Sequence, residues 1–147
     1  MKALLQRVSS ARVEIDGRSV GEIENGMLVF LCAVKGDTDR DLEYIVKKVS
    51  KLRIFGDDYG KMNLSIMDIK GQVLVVSQFT LAASTRKGNR PSFDAVEAPE
   101  RARSLCDTFI SNLRQAGLYV QTGVFAESMA VSLTNDGPVT ILIDSRE

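Results

Sequence analysis

Met27 to Val34 is an unbroken apolar run bounded by Asn25-Gly26 and Gly36, and Val73 to Val76 is a second such run inside Gln72 to Gln78. Short continuous apolar runs between turn signals read as strands buried on both faces. A different rhythm follows the first run. Leu42, Ile45, Val46, Val49 and Leu52 stand at i, i+3, i+4, i+7 and i+10, the spacing of one helix face. Thr38 precedes them with Asp41 three residues on, close to a capping box, so a helix is predicted over about residues 38–52. A second helix is predicted over about residues 99–116: Pro99 opens it with Glu100 in its first turn, Ala102, Leu105, Phe109 and Leu113 form its stripe, and Gly117 stands at C′. The rest reads as β. Ala3 to Val8, Ala11 to Ile15 and Val20 to Ile23 are strand-like, the last two joined across Asp16-Gly17, a strong hairpin signal. A hairpin-like stretch has turns at Gly56-Asp57-Asp58 and near Gly60, and Leu118 to Thr122, Met129 to Leu133 and Val139 to Ile143 close the chain. The order lacks the regular β-α alternation of doubly wound folds. The expectation is one α/β domain over residues 1–147, with mixed or antiparallel sheets curled toward a barrel and two main helices.

Composition narrows the chemistry. A chain of 147 residues fits one domain and buries roughly 70 % of its unfolded surface. No apolar run reaches the ~18 residues of a membrane span, and the opening residues lack a signal-peptide pattern; the expected location is the cytoplasm, with no membrane partner. There is no histidine, which removes Ser-His-Asp and Cys-His catalysis and His-ligated zinc. Cys32 falls in an apolar strand and Cys106 on the second helix, neither in a CxxC pair; both read as reduced, small apolar residues. No metal and no cofactor is expected. The 19 basic and 19 acidic residues cancel, against a protein that coats long duplexes but not against one that touches a nucleic-acid end. A local basic patch, Arg86, Lys87 and Arg90 with Arg101 and Arg103 further on, reads equally as a solvated loop or as a phosphate contact.

Two segments hold candidate chemistry. Asn135-Asp136-Gly137-Pro138-Val139-Thr140 places one of only three prolines between two strand-like runs. Proline within a sheet is confined to edges, turns or bulges, so Gly137-Pro138 fixes backbone carbonyls at a defined place. Ser77-Gln78-Phe79-Thr80-Leu81 leaves the most apolar strand and enters the basic loop. Strand ends feeding polar loops commonly carry active sites. Ser77, Gln78 and Thr80 supply hydroxyls and an amide, the departing backbone N–H groups suit an oxyanion, and Phe79 offers a face for a base. From the residues alone, a satisfied strand end with Phe79 in the core stands beside that reading.

The two segments together resemble the D-aminoacyl-tRNA deacylase family. The likeness runs nearly the full length: Gln6-Arg7-Val8, Arg53-Ile54-Phe55, Gly60-Lys61-Met62-Asn63, Val73 to Leu81, Arg90-Pro91-Ser92-Phe93, Gln121 to Ala126, and Val131 to Thr140. The resemblance implies a hydrolase that cleaves the ester between a D-amino acid, or glycine, and the terminal adenosine of tRNA. It implies a homodimer in which a cis Gly137-Pro138 motif reaches into the partner's site, accepts hydrogen bonds from the substrate ammonium and occupies the space an L side chain needs. Arg7 resembles an arginine that holds this motif. Phe79 would border the adenosine, Phe125 and Met129 would line the amino-acid side of the pocket, and Arg86, Lys87 and Arg90 would meet the acceptor end. Two mechanisms fit: attack by the Thr80 hydroxyl, or oxyanion binding by backbone N–H groups around Phe79 and Thr80 with help from the ribose 2′-OH. The missing histidine favours the second, since a hydroxyl nucleophile needs a base. Two alternatives stay open: a related trans-Gly-Pro deacylase that accepts some L-aminoacyl-tRNA, and a nucleic-acid-binding module without catalysis.

Overall fold

A computed structural model describes residues 1–147. In chain order the elements are β1 (Lys2–Ile15), β2 (Arg18–Ile23), β3 (Gly26–Cys32), α1 (Asp39–Lys51), β4 (Phe55–Gly56), β5 (Met62–Leu64), β6 (Gln72–Ser77), a 3₁₀ turn (Phe79–Ala82), α2 (Pro99–Gln115), β7 (Tyr119–Thr122) and β8 (Ala130–Asp144). β4 and β5 form a small separate hairpin. The others make one mixed sheet in the order β2-β1-β3-β6-β7, with β8 on β1. β3, β6 and β7 are parallel neighbours, and the two helices lie in the connections that parallel pairing requires.

β1 organises the sheet. Along one edge it pairs with β3 through Lys2–Val8 and with β2 through Ala11–Ile15; along the other it pairs with β8. A register irregularity between Val8 and Ser10 changes the phase of its buried positions. Ala3 and Leu5 face the larger core, while Val8, Ala11 and Val13 face a second one. That shift is why two strands are expected here and one is found.

The apolar runs have a simple cause. On β3, Met27, Val29 and Leu31 enter the core between sheet and helices, whereas Leu28 enters the core inside the curl; on β6, Val73 and Val75 do the first and Leu74 and Val76 the second. Both faces are covered, so neither strand alternates. The helices bring Leu42, Ile45 and Val49 of α1 and Leu105, Phe109 and Leu113 of α2 to the larger core. The curl tightens where β2 meets β7: a Cβ on Gly21 would lie 2.6 Å from the Thr122 carbonyl oxygen, so only glycine admits that approach.

The last two expected strands are one, β8. The ladder pairs Gln6 with Thr140 and Val8 with Asn135, so Asp136 to Val139 stand opposite Arg7 alone and leave the ladder as an excursion. Proline has no N–H to give a ladder, and the excursion relieves it of that role. No helix is long and apolar enough to cross a membrane.

At the start of α1, one Asp41 oxygen accepts bonds from the Thr38 N–H (2.8 Å) and hydroxyl (2.9 Å). The other accepts from the Ser145 hydroxyl at 2.7 Å. The Ser145 bond first, then the Thr38 amide, lowers the Asp41 pKa to about 2 from an ordinary 3.8. A depressed carboxylate stabilises the fold above its unfolded pKa and loses that contribution as pH falls through the folded one. Asp41→Asn is therefore expected to melt below wild type at pH 7. The difference should close as pH falls from 3.8 toward about 2. Thermal melts across that window check it; a gap that persists unchanged at pH 2 would show that Asp41 acts through shape rather than charge.

Candidate active site

Ser77 ends β6 opposite Leu31 of β3, and the Gln78 N–H donates to the Leu31 carbonyl at 2.8 Å. The chain then leaves the sheet in the 3₁₀ turn. The Leu81 N–H bonds the Gln78 carbonyl (3.2 Å) and the Ala83 N–H bonds that of Thr80 (3.1 Å). The amides of Phe79 and Thr80 precede the first bonded amide and have no acceptor within the turn, as i to i+3 bonding dictates. The Gln78 side-chain amide donates to the Thr80 hydroxyl. The Cys32 thiol donates to the Phe79 carbonyl at 3.5 Å, tying the turn to β3.

Phe79 is not a core residue. It is 56 % exposed, and its ring meets Phe93 edge-on, centroids 5.2 Å apart at 71°. Beside it opens a cavity of about 830 Å³, walled by Ser77, Gln78, Phe79, Phe93, Phe125 and Met129 among others. Five of the residues proposed from the sequence thus share one cavity. Thr80 adjoins it without lining it. Met129 also packs on the core inside the curl, and the Arg103 guanidinium stacks on the Phe125 ring at 4.9 Å. Cys32 and Cys106 lie in the same wall. Burial pushes both thiols up, Cys106 to about 11, so both are protonated at neutral pH and neither is a thiolate nucleophile.

Gly137-Pro138 stands elsewhere. Its peptide bond is cis, and both residues are exposed. Asn135 pins the excursion's base, its side-chain amide donating to the Arg7 carbonyl (2.9 Å) and the Val139 carbonyl (3.1 Å). Arg7 pins its start. Its Nε donates to the Asp136 carbonyl at 3.0 Å and pairs with the Asp136 carboxylate at 3.1 Å. Another Arg7 nitrogen reaches the Ile54 carbonyl at 2.6 Å. Arg7 and Pro138 border a separate depression of about 380 Å³ with Phe55 and Met62. The excursion is level with Arg7, Met27 and Val73, four residues short of Ser77 and three strands away. That is about 13 Å along the strands and about 14 Å across them, so one chain does not bring the two segments together.

Arg86, Lys87 and Arg90 lie exposed on a loop whose base is closed by reciprocal Ser84 and Ser92 backbone bonds of 2.8 and 2.9 Å. None of the three lines the cavity. Phe93 and Asn135 carry no separate signal of a role in the sequence. Their parts, an aromatic wall and a loop brace, depend on pairings across the fold.

The family model for D-Tyr-tRNA(Tyr) deacylase matches residues 4–144. The chain is 52% identical over 147 residues to a D-aminoacyl-tRNA deacylase of Aquifex aeolicus, covering 100% of this chain and 99% of that one. It is 55% identical over 147 residues to a D-aminoacyl-tRNA deacylase of Paracoccus denitrificans, again covering 100% and 99%. A solved structure described as c-Myc DNA Unwinding Element Binding Protein is similar at a TM-score of 0.92 and 38% identity, covering 98% of both chains.

Proposed function

Since the chain belongs to the D-Tyr-tRNA(Tyr) deacylase family, we propose that it hydrolyses the ester bond of D-aminoacyl-tRNA, releasing the D-amino acid and tRNA. The observation that carries this reading is the exposed turn whose Phe79 and Thr80 amides stand without partners in the turn, at the edge of an aromatic cavity. The terminal adenosine borders Phe79 in the cavity, with Phe125 and Met129 on the amino-acid side. Water adds to the ester carbonyl, and its oxygen becomes an oxyanion held by the amides of Phe79 and Thr80. The ribose 3′-oxygen leaves with a proton, and the neighbouring 2′-OH assists the attacking water. The Thr80 hydroxyl already accepts a bond from Gln78, so Gln78 orients Thr80 while the backbone does the stabilising. Positioning suffices because the ester is already activated.

Selectivity comes from the Gly137-Pro138 backbone of a second copy. The separation of the two segments within one chain supports this, because the excursion then serves a Ser77–Phe79 end only across a homodimer. Its carbonyls take the substrate ammonium, and its backbone fills the space an L side chain would need. Glycine, with no side chain, passes. Arg86, Lys87 and Arg90 meet the acceptor strand, and the protein works in the cytoplasm as a single deacylase domain.

Paired deacylation of D-Tyr-tRNA and L-Tyr-tRNA tests this. The D ester is expected to be lost rapidly and the L ester to persist. Hydrolysis of both would mean that the Gly137-Pro138 backbone is not arranged to exclude an L side chain. Hydrolysis of neither by folded protein would favour a second reading, a nucleic-acid-binding module. The 38% identical structure, named as a DNA unwinding element binding protein, supports that reading.

A further inference from the structure

We propose that Lys35 is a further substrate contact, receiving the phosphate that joins the terminal nucleotide to the rest of the acceptor strand. The inference rests on the deacylase reading. Among all residues lining the cavity, Lys35 is the one with a basic side chain. It is exposed and enters none of the ion pairs. A nucleoside seated among the aromatic rings with its ester at the Phe79–Thr80 turn must send its 5′-phosphate out over the rim. Lysine is a compact point charge suited to a phosphate.

The backbone beneath Lys35 is fastened on both sides. Its N–H donates to the Ala95 carbonyl at 2.9 Å, and its carbonyl accepts from Arg146 at 2.7 Å. The turn is closed from Asp37 to Val34, amide to carbonyl at 3.0 Å. The Asp37 carboxylate takes the Val34 N–H at 2.7 Å, the Met1 ammonium at 2.6 Å and Arg146 at 2.7 Å. Arg101 holds the Asp37 carbonyl at 2.7 Å. The turn thus has a fixed backbone and one cation left free. The opposing charges are few: Glu97 is paired with Arg101 at 3.4 Å, and Glu127 lies in the cavity wall on the loop before β8.

The experiment uses two substrates, D-Tyr-tRNA and the phosphate-free ester D-tyrosyl-adenosine, with Lys35→Ala, Lys35→Arg and Lys47→Ala. For Lys35→Ala, KM for the tRNA ester should rise about tenfold with kcat little changed. The slope of log kcat/KM against log salt should shrink by about one charge. Turnover of the adenosine ester, which has no phosphate to lose, should hold. Lys35→Arg should restore most of the tRNA affinity. Lys47→Ala, an equal charge change on the outer face of α1, should leave the slope alone. Equal losses on both substrates, or an unchanged KM and salt slope, would overturn the assignment. If wild type turns over the adenosine ester too slowly, the salt slope decides. Wild type cleaving neither ester sinks the deacylase reading, and this assignment with it; wild type cleaving the tRNA ester while Lys35→Ala matches it sinks this assignment alone.

Discussion

Thr80→Pro is expected to lower kcat on D-aminoacyl-tRNA by about 10²–10³, the usual cost of one oxyanion donor, while Thr80→Ala stays within a few-fold of wild type. The two substitutions separate the backbone from the side chain at one position. Alanine removes the hydroxyl that accepts the Gln78 bond and keeps the amide. Proline removes the amide, which has no acceptor within the turn, so no internal hydrogen bond is lost with it. Residue 80 lies in the first turn of the 3₁₀ segment, where proline's fixed φ is tolerated. The ring also restricts the preceding residue, and Phe79 is that residue. Matching thermal melts for both variants are therefore part of the measurement. If Thr80→Ala loses nearly all activity with its fold intact, the hydroxyl is the nucleophile after all. If Thr80→Pro turns over at the wild-type rate, the oxyanion is held elsewhere.

Most of the architecture is legible in the chain because its hydrophobic rhythm is unambiguous where burial is complete. β3 and β6 are covered on both faces, and their runs are unbroken; α1 and α2 bury one stripe each, and their spacing gives their bounds to within a residue or two. The misreadings fall where pairing outranks local pattern. Ser9 and Ser10 interrupt the apolar alternation of β1, yet the strand continues because β8 pairs with it on both sides of the irregularity. Pro138 signals the end of a strand, but the ladder resumes beyond it once four residues have been set aside. Such continuity is a property of partners far along the chain, which local periodicity does not carry.

The site divides the same way. Ser77 to Thr80 are legible because they are contiguous and follow the most apolar strand. The aromatic wall is only half legible: Phe79 stands in the motif, but Phe93 comes to it through a loop, and Arg103 to Phe125 through α2. The separation of Gly137-Pro138 from the Ser77 strand end has no sign in the local pattern; the family resemblance implies it, and its distance follows from the register. Asp37 left no trace in the sequence, since a buried carboxylate looks like any other acidic residue in a Gly-Asp turn.

That buried carboxylate gives the largest stability effect. Asp37→Ala is expected to destabilise the fold by about 3–5 kcal/mol, the range for breaking a buried ion pair by removing one partner. Asp37 is 1% exposed, and the Met1 ammonium against it at 2.6 Å is wholly buried with it. Without the carboxylate, the ammonium keeps only the Ser145 hydroxyl at 2.6 Å, and the Val34 N–H loses its acceptor. Arg146, 44% exposed at its side chain, can turn to water, so most of the loss comes from the ammonium. Asp37→Asn keeps the shape and an oxygen for Val34, so it should cost less than alanine while still leaving the charge uncompensated. Urea unfolding at pH 7 reads both as lower midpoints at an unchanged m-value. A loss under about 1 kcal/mol for Asp37→Ala would mean that water reaches the ammonium, in the manner of an exposed pair. The turn around Lys35 would then be held chiefly by its backbone bonds to Ala95 and Val34.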